Sequence, residues 1–93
     1  MKYEVSVDRV VKNLRKVPHE VRAKLLAWAE AVELEGLPYV RKIPGFHDEP
    51  LLGRRKGQRS VRLSLKWRAI YEVSQSGAVT LVEVQEVTAH DYR

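Results

Sequence analysis

The fold is decided by residues 59–73, RSVRLSLKWRAIYEV, where apolar and polar side chains alternate along the chain. Alternation with a period of two is typical of a β-strand that buries one face. We therefore predict a strand whose apolar side chains, Val61, Leu63 and Leu65, point toward a core. A second strand starts at Trp67 and is joined to the first by a tight turn, so the two strands form an antiparallel pair.

The spacing of apolar residues in the other segments of the chain predicts whether each segment is a strand, a helix or a connection. Residues 2–7 alternate as a short strand does, whereas residues 8–17 repeat apolar side chains as a brief amphipathic helix does. Residues 18–35 predict a second helix, which opens on a proline and ends before a glycine. Residues 39–58 are rich in glycine and proline and predict a long surface connection. Residues 78–87 predict a largely apolar strand in the middle of the sheet.

The order β-α-α-β-β-β predicts an α+β domain, in which a hairpin of helices covers one face of a small, mainly antiparallel four-stranded sheet. The second helix carries an apolar stripe made of Val21, Leu25, Trp28, Ala29 and Val32. The other face of the sheet stays open and displays Arg62 and Arg68. A chain of 93 residues is too short for two cores, so we expect residues 1–93 to form one domain.

Composition narrows the class of function. The chain has no cysteine, which excludes disulfides and thiolate metal sites. Its net charge of +5 favours a polyanionic partner, and residues 51–71 hold seven basic side chains and no acidic one. Charges interrupt every apolar run near the N-terminus. We therefore expect neither a signal peptide nor a membrane span, and we expect the protein in the cytoplasm.

Two arginines, Arg62 and Arg68, are the first candidate site residues, since adjacent antiparallel strands bring side chains of the same face together. Two guanidinium groups repel each other unless an anion lies between them, and their donor forks suit phosphate oxygens. The alternative is that each arginine pairs with a local carboxylate, such as Glu72 or Glu83, on a solvated face.

The long connection ends in a glycine-flanked basic loop that leads directly into the Arg62 strand. Such a loop can follow a sugar-phosphate chain, although similar runs are often only soluble loops. The candidate RNA-binding residues in and after it are Arg54, Arg55, Lys56, Arg59 and Lys66. No glycine pattern typical of nucleotide binding is present, so the sequence implies no cofactor.

The C-terminal segment, residues 88–93, contributes His90 and Tyr92. Histidine both accepts and donates a proton near neutral pH, which suits a general acid or base. A lone histidine near a chain end is more often an ordinary surface residue. His19 and His47 lack, together with His90, the spacing of a zinc site, so we predict no metal.

These segments together resemble the RelE/ParE toxin superfamily, in its RelE- and HigB-like mRNA interferase branch. The most specific pieces are the pattern G-x-R-S-x-R-L-x-x-x-W-R-x-I-Y over residues 57–71 and E-V-x-x-H-D-Y over residues 86–92. The resemblance spans nearly the whole chain, although the N-terminal helices match only in pattern.

The resemblance implies a toxin of a type II toxin–antitoxin system that cleaves mRNA in the ribosomal decoding site. In such toxins a 2′-hydroxyl attacks the adjacent phosphate and yields a 2′,3′-cyclic phosphate, without a metal or another cofactor. By position in the motif, Arg62 and Arg68 would hold the scissile phosphate, His90 would transfer a proton, and Tyr92 would orient the ribose or stack on a base. The implied partners are a cognate antitoxin, the ribosome and mRNA.

Two other functions stay open at this point. The ParE branch shares the fold but inhibits DNA gyrase without cutting RNA, and a fold alone does not fix an activity. A nucleic-acid-binding module without catalysis is the third possibility. The His-Asp-Tyr ending and the arginine pair favour the nuclease.

Overall fold

A computed structural model describes residues 2–89 of the chain and confirms the α+β class. Within this range five strands form one sheet: β1 (Lys2–Ser6), β2 (Glu49–Pro50), β3 (Arg59–Arg62), β4 (Arg68–Ser76) and β5 (Val79–Thr88). Two α-helices follow β1: α1 (His19–Glu35) and α2 (Leu37–Val40). Short 3₁₀ turns occupy Asp8–Val10, Asn13–Lys16, Pro44–Phe46 and Gly53–Arg55. None of the helices in the described part of the chain could cross a membrane.

The sheet has the strand order β1-β5-β4-β3-β2. β1 runs parallel to β5, and the other neighbouring strands described are antiparallel. β5 lies inside the sheet, as its apolar sequence predicts. The sheet has one strand more than predicted, because Glu49 and Pro50 pair with Ser60 and Arg59. A strand of two residues has no periodicity that a sequence pattern could reveal.

The main core lies between α1 and one face of the sheet, here called the helix face. α1 buries Val21, Leu25, Trp28 and Val32, as its apolar spacing predicts. The helix face contributes apolar side chains from β3, β4 and β5, namely Val61, Ala69, Tyr71, Val82 and Val84. The rings of Trp28 and Tyr71 lie 5.2 Å apart at an interplanar angle of 45°, within the range of favourable aromatic pairs. This contact joins the middle of α1 to β4.

The segment over residues 8–17, predicted as the first amphipathic helix, forms two 3₁₀ turns instead. These turns still bury Val10 and Val17. Asn13 gives the physical reason, because its Nδ2 donates to the carbonyl oxygen of Val87 at 2.8 Å and fixes the segment against β5. So short a segment gains few helical hydrogen bonds, and tertiary packing therefore decides its conformation.

The prediction that Leu65 faces the core is wrong. β3 ends at Arg62, and residues 63–67 form a turn in which the amide of Leu63 donates to the carbonyl oxygen of Trp67 at 2.8 Å. Leu63 is buried, but Leu65 is 88% exposed. The apolar alternation continues in the sequence after the backbone has left the strand, so periodicity alone does not locate the turn.

Gly36 provides a test of the backbone between α1 and α2. Its φ is +88°, and a Cβ there would lie 3.2 Å from Cε2 of Tyr3. With its ψ of 150°, this conformation costs a residue with a side chain roughly 1–3 kcal/mol. We expect Gly36→Ala to lower the free energy of unfolding by about 1–3 kcal/mol in urea denaturation. Gly45→Ala is the matched control, because no atom lies within 4 Å of its added Cβ. Equal losses in the two variants would contradict strain at Gly36.

Candidate functional site

The structure brings Arg62 and Arg68 directly opposite each other in the β3–β4 pair. Opposite side chains in an antiparallel pair have Cβ atoms about 4.5–5.5 Å apart and point to the same side of the sheet. Strand alternation directs both away from α1, toward the side here called the arginine face, since Val61 and Ala69 point to the helix face. Two like charges this close repel each other, so the pair favours an anion between them.

Arg68 is held in place by its neighbours. The residue is 7% exposed, so the prediction that an open sheet face displays Arg68 is wrong. Its Nη1 donates to Oγ of Ser60 at 2.8 Å, and its Nη2 lies 3.7 Å from Oε1 of Glu49. A buried guanidinium needs such partners, because an unpaired buried charge is costly. The separation from Glu49 is too long for a hydrogen bond, so the charge of Arg68 is only partly offset.

The side chain of Arg62, unlike that of Arg68, makes no hydrogen bond or ion pair with another residue in the described range 2–89. The carboxylates considered as its alternative partners are engaged elsewhere: Glu83 lies 3.5 Å from Nε of Arg9, and Glu72 accepts a hydrogen bond from Gln85. Arg62 is also half-buried. The N–H donors of its guanidinium group are therefore available to a ligand bound on the arginine face.

Residues 51–58, here called the arm, cover part of the arginine face. The amide of Leu51 donates to the carbonyl oxygen of Gln58 at 2.9 Å, which closes the arm on itself. Arg55 donates from Nη2 to Oε1 of Glu86 at 3.0 Å and so ties the arm to β5. Ile70 pairs with Glu86 and points to this face, yet its exposure is 0%. The expectation of a wholly open face is therefore wrong where the arm lies.

The basic residues singled out in the sequence divide into two groups. Arg54, Lys56 and Lys66 are exposed and available to a polyanion. Arg55 holds the arm, and Arg59 lies on the helix face, because it pairs with Tyr71 in the β3–β4 register. The structure therefore does not bring Arg59 together with the arginine pair.

Arg59 belongs to a polar cluster of three residues, here called the clamp. Its Nε donates to Oδ1 of Asp48 at 2.6 Å, and the hydroxyl of Tyr71 donates to Oδ2 of the same carboxylate. The side chain of Asp48 is 0% exposed, and that of Arg59 is 24% exposed. Both oxygens of this buried carboxylate thus accept a hydrogen bond, one from a guanidinium group and one from a hydroxyl group.

The protonation states within the clamp are fixed by its surroundings. Burial, reinforced by the hydrogen bond to Asp48, raises the pKa of the Tyr71 phenol, so the hydroxyl stays a donor well above neutral pH. Burial by itself lowers the pKa of the Arg59 guanidinium, but the hydrogen bond and the charge of Asp48 outweigh this and raise it. Tyr71 and Arg59 therefore both remain protonated donors across the physiological range.

His90 and Tyr92 lie outside the described residues. The last described strand nevertheless has a defined end: β5 stops at Thr88, which pairs with Arg68. Within residues 2–89, no three side chains of the metal-ligating types come together as a candidate metal site.

The sequence does not predict the roles of Asp48, Glu49 and Ser60. Ser60 shares the parity of Arg62, which was the available signal for its position on the arginine face. Asp48 and Glu49 lie in the long connection, where no period assigns a side chain to a face. Their positions follow from the pairing of β2 with β3.

Comparison with solved structures finds the same fold in bacterial toxins. A YoeB/ParE toxin from Agrobacterium tumefaciens matches with a TM-score of 0.65 at 21% identity, over 98% of this chain and 100% of the other. The RelBE2 toxin–antitoxin complex from Mycobacterium tuberculosis matches with a TM-score of 0.64 at 19% identity, over 100% of both chains. The DinJ–YafQ toxin–antitoxin complex from E. coli matches with a TM-score of 0.56 at 25% identity, over 87% of this chain and 85% of the other.

No family model matches the sequence, and no curated protein matches it significantly. The structure defines a small α+β domain that carries a pair of opposed arginines on one sheet face. This domain has the same fold as those toxin structures, so the fold that the resemblance implies is confirmed.

The arm supplies the test of this description. Arg55→Met keeps the aliphatic stem but removes the donors that reach Glu86, so the arm should open more often. We expect amide hydrogen exchange in residues 51–58 to accelerate about five-fold, as loss of roughly 1 kcal/mol of local stability requires. Arg54→Met removes an exposed charge from the same arm and should leave exchange unchanged. Equal exchange in both variants would show that Arg55 does not hold the arm.

Proposed function

We propose that this protein is the toxin of a type II toxin–antitoxin system and that it cleaves mRNA on the ribosome. The observation that carries the proposal is the opposed pair Arg62 and Arg68, in which Arg62 has no described partner and Arg68 is fixed by Ser60. A phosphodiester is the anion that two guanidinium groups at this spacing suit best. The fold, shared with bacterial toxins, supports the same conclusion.

The proposed reaction is attack of an RNA 2′-hydroxyl on the adjacent phosphorus. The 2′-oxygen loses its proton to a general base and bonds to phosphorus, while the bond from phosphorus to the 5′-oxygen breaks and that oxygen gains a proton. The products are a 2′,3′-cyclic phosphate and a 5′-hydroxyl. The reaction needs no divalent metal if cationic side chains stabilise the charge that develops on the phosphate oxygens.

Each site residue then has a role. Arg68 contributes a fixed positive charge from the floor of the site, and Arg62 donates to the phosphate from the neighbouring strand. His90 transfers a proton and Tyr92 orients the ribose or stacks on a base. In support of His90, only Ala89 separates it from Thr88, the strand residue opposite Arg68.

Exposed cations outside the arginine pair extend the proposed RNA path. Lys66 lies in the turn between Arg62 and Arg68, and Arg54 and Lys56 lie on the arm. Contacts of this kind with the sugar-phosphate chain give affinity without sequence preference. We assign these three residues to neighbouring phosphates of mRNA or of ribosomal RNA, and we withdraw Arg59 from that group because of its bond to Asp48.

A cognate antitoxin is the proposed protein partner. Two of the similar structures are complexes of a toxin with its antitoxin. An antitoxin that inhibits this protein would have to cover the arginine face or displace the C-terminal segment, because those are the parts that the proposed reaction uses.

The test is primer extension on a defined message in a reconstituted translation system, with and without ribosomes and in the presence of EDTA at a level that ribosomes tolerate. We expect cuts in phase with codons that require the ribosome. Arg62→Gln and Arg68→Gln should each lower the cleavage rate about 10²–10³-fold, because the first removes a donor to the transition state and the second removes the fixed positive charge beneath it. His90→Ala should have an effect of similar size. Arg15→Gln, which removes one exposed charge in the segment before α1, is the control and should cleave normally.

Two outcomes would contradict the nuclease. Intact message under all conditions, together with inhibition of DNA gyrase, would favour the ParE-type function. Binding of RNA that weakens steeply with salt but never leads to cleavage would favour a simple binding module. Wild-type cleavage by Arg62→Gln, Arg68→Gln and His90→Ala would reject the site while leaving the activity.

A further inference from the structure

The shortest strand of the sheet needs an anchor beyond its own pairing. β2 consists of Glu49 and Pro50, and Pro50 has no amide hydrogen to give to β3. Two residues of pairing at a sheet edge contribute little stability on their own. Glu49 nevertheless reaches the arginine face and stands 3.7 Å from Arg68. Something must hold this strand in register.

Asp48 is that anchor. Its side chain is 0% exposed and accepts hydrogen bonds from Nε of Arg59 at 2.6 Å and from the hydroxyl of Tyr71. Arg59 and Tyr71 belong to β3 and β4 and lie opposite each other, so the carboxylate next to β2 is bonded to both strands. Breaking these two hydrogen bonds would cost free energy, because the partly buried guanidinium of Arg59 would then be left without its counter-charge.

The clamp and the arginine pair lie on opposite faces of the same strands. Asp48 lies just before β2, and its carboxylate binds Arg59 and Tyr71 on the helix face. Glu49 pairs with Ser60 and therefore points to the arginine face. Glu49 pairs with Ser60, the residue that accepts a hydrogen bond from Arg68. The position of Asp48 therefore determines where Glu49 stands against the guanidinium of Arg68.

We propose that the clamp of Asp48, Arg59 and Tyr71 is a positioning unit for the reaction: it fixes β2 and thereby orients the guanidinium of Arg68 toward the scissile phosphate. This inference rests on the proposed function. None of the three residues contacts the substrate in this assignment. They act through Glu49 and Ser60, which border Arg68 on the arginine face.

Tyr71→Phe is the variant that tests the clamp. It removes one hydroxyl and keeps the ring that packs 5.2 Å from Trp28. We expect kcat for cleavage to fall about ten-fold with KM changed less than two-fold, because a misoriented Arg68 costs more in the transition state than in the bound substrate. Trp28→Phe is the matched control: it weakens the same core contact, leaves all three clamp side chains in place, and should keep kcat. Both variants are assayed well below their unfolding transitions.

A double variant separates action through Arg68 from a general structural effect. If the clamp works through Arg68, Tyr71→Phe should cause no further loss when added to Arg68→Gln, so the two effects will not be additive. Asp48→Asn should lower kcat by a similar factor if the variant folds. If it does not fold, Tyr71→Phe alone and in combination with Arg68→Gln still test the positioning role.

The outcomes keep this inference distinct from the proposed function. Additive effects, an unchanged kcat in Tyr71→Phe, or an equal loss of kcat in Trp28→Phe would each overturn the positioning role while cleavage by the wild type persists. Absence of cleavage by the wild type would instead overturn the proposed function.

Discussion

The register of β3 on β4 is the constraint on which the rest of the structure depends. A shift of one residue would turn every side chain of β3 to the other face. In the observed register Val61 lies opposite Ala69 in the core and Arg62 lies opposite Arg68 on the other side. The apolar partners fix the register, since burial of Val61 and Ala69 against α1 is complete. The repulsion between the two arginines is thus imposed by the core behind them.

The long connection over residues 41–58 is ordered by contacts on both faces of the sheet. On the helix face, Asp48 binds Arg59 and Tyr71. On the arginine face, Arg55 binds Glu86, and Ile70 on that face is fully buried. A connection of this length with so little regular structure usually serves a function or stays disordered. Here side-chain bonds to the sheet replace the hydrogen bonds that a longer strand would make.

The basic residues of this protein differ in whether a carboxylate neutralises them, and this difference separates structural arginines from candidate site residues. Arg55 and Arg59 are bonded to carboxylates and contribute to folding, whereas Arg62 has no partner among the described residues. Arg68 lies between these cases, because it is buried yet bonded to a neutral hydroxyl and only distantly to Glu49. An arginine held by a neutral group keeps its positive field, which is what stabilisation of a phosphate requires.

The sequence by itself determined the α+β class, the apolar stripe of α1 and the placement of Arg62 and Arg68 on one sheet face, because periodicity fixes which side chains share a face. It failed for residues 8–17, where Asn13 binds Val87 across the fold, and at Leu65, where alternation outlasts the strand.

Only the tertiary structure decided the partners of the long connection. Asp48 and Glu49 have no periodic pattern, and their faces follow from pairing with a strand that is distant in sequence. The same holds for Arg59. Its charge alone suggested contact with a phosphate, but its position opposite Tyr71 brings it within hydrogen-bond distance of Asp48. The sequence shows which side chains can form hydrogen bonds and ion pairs. Strand pairing decides which of them come close enough to do so.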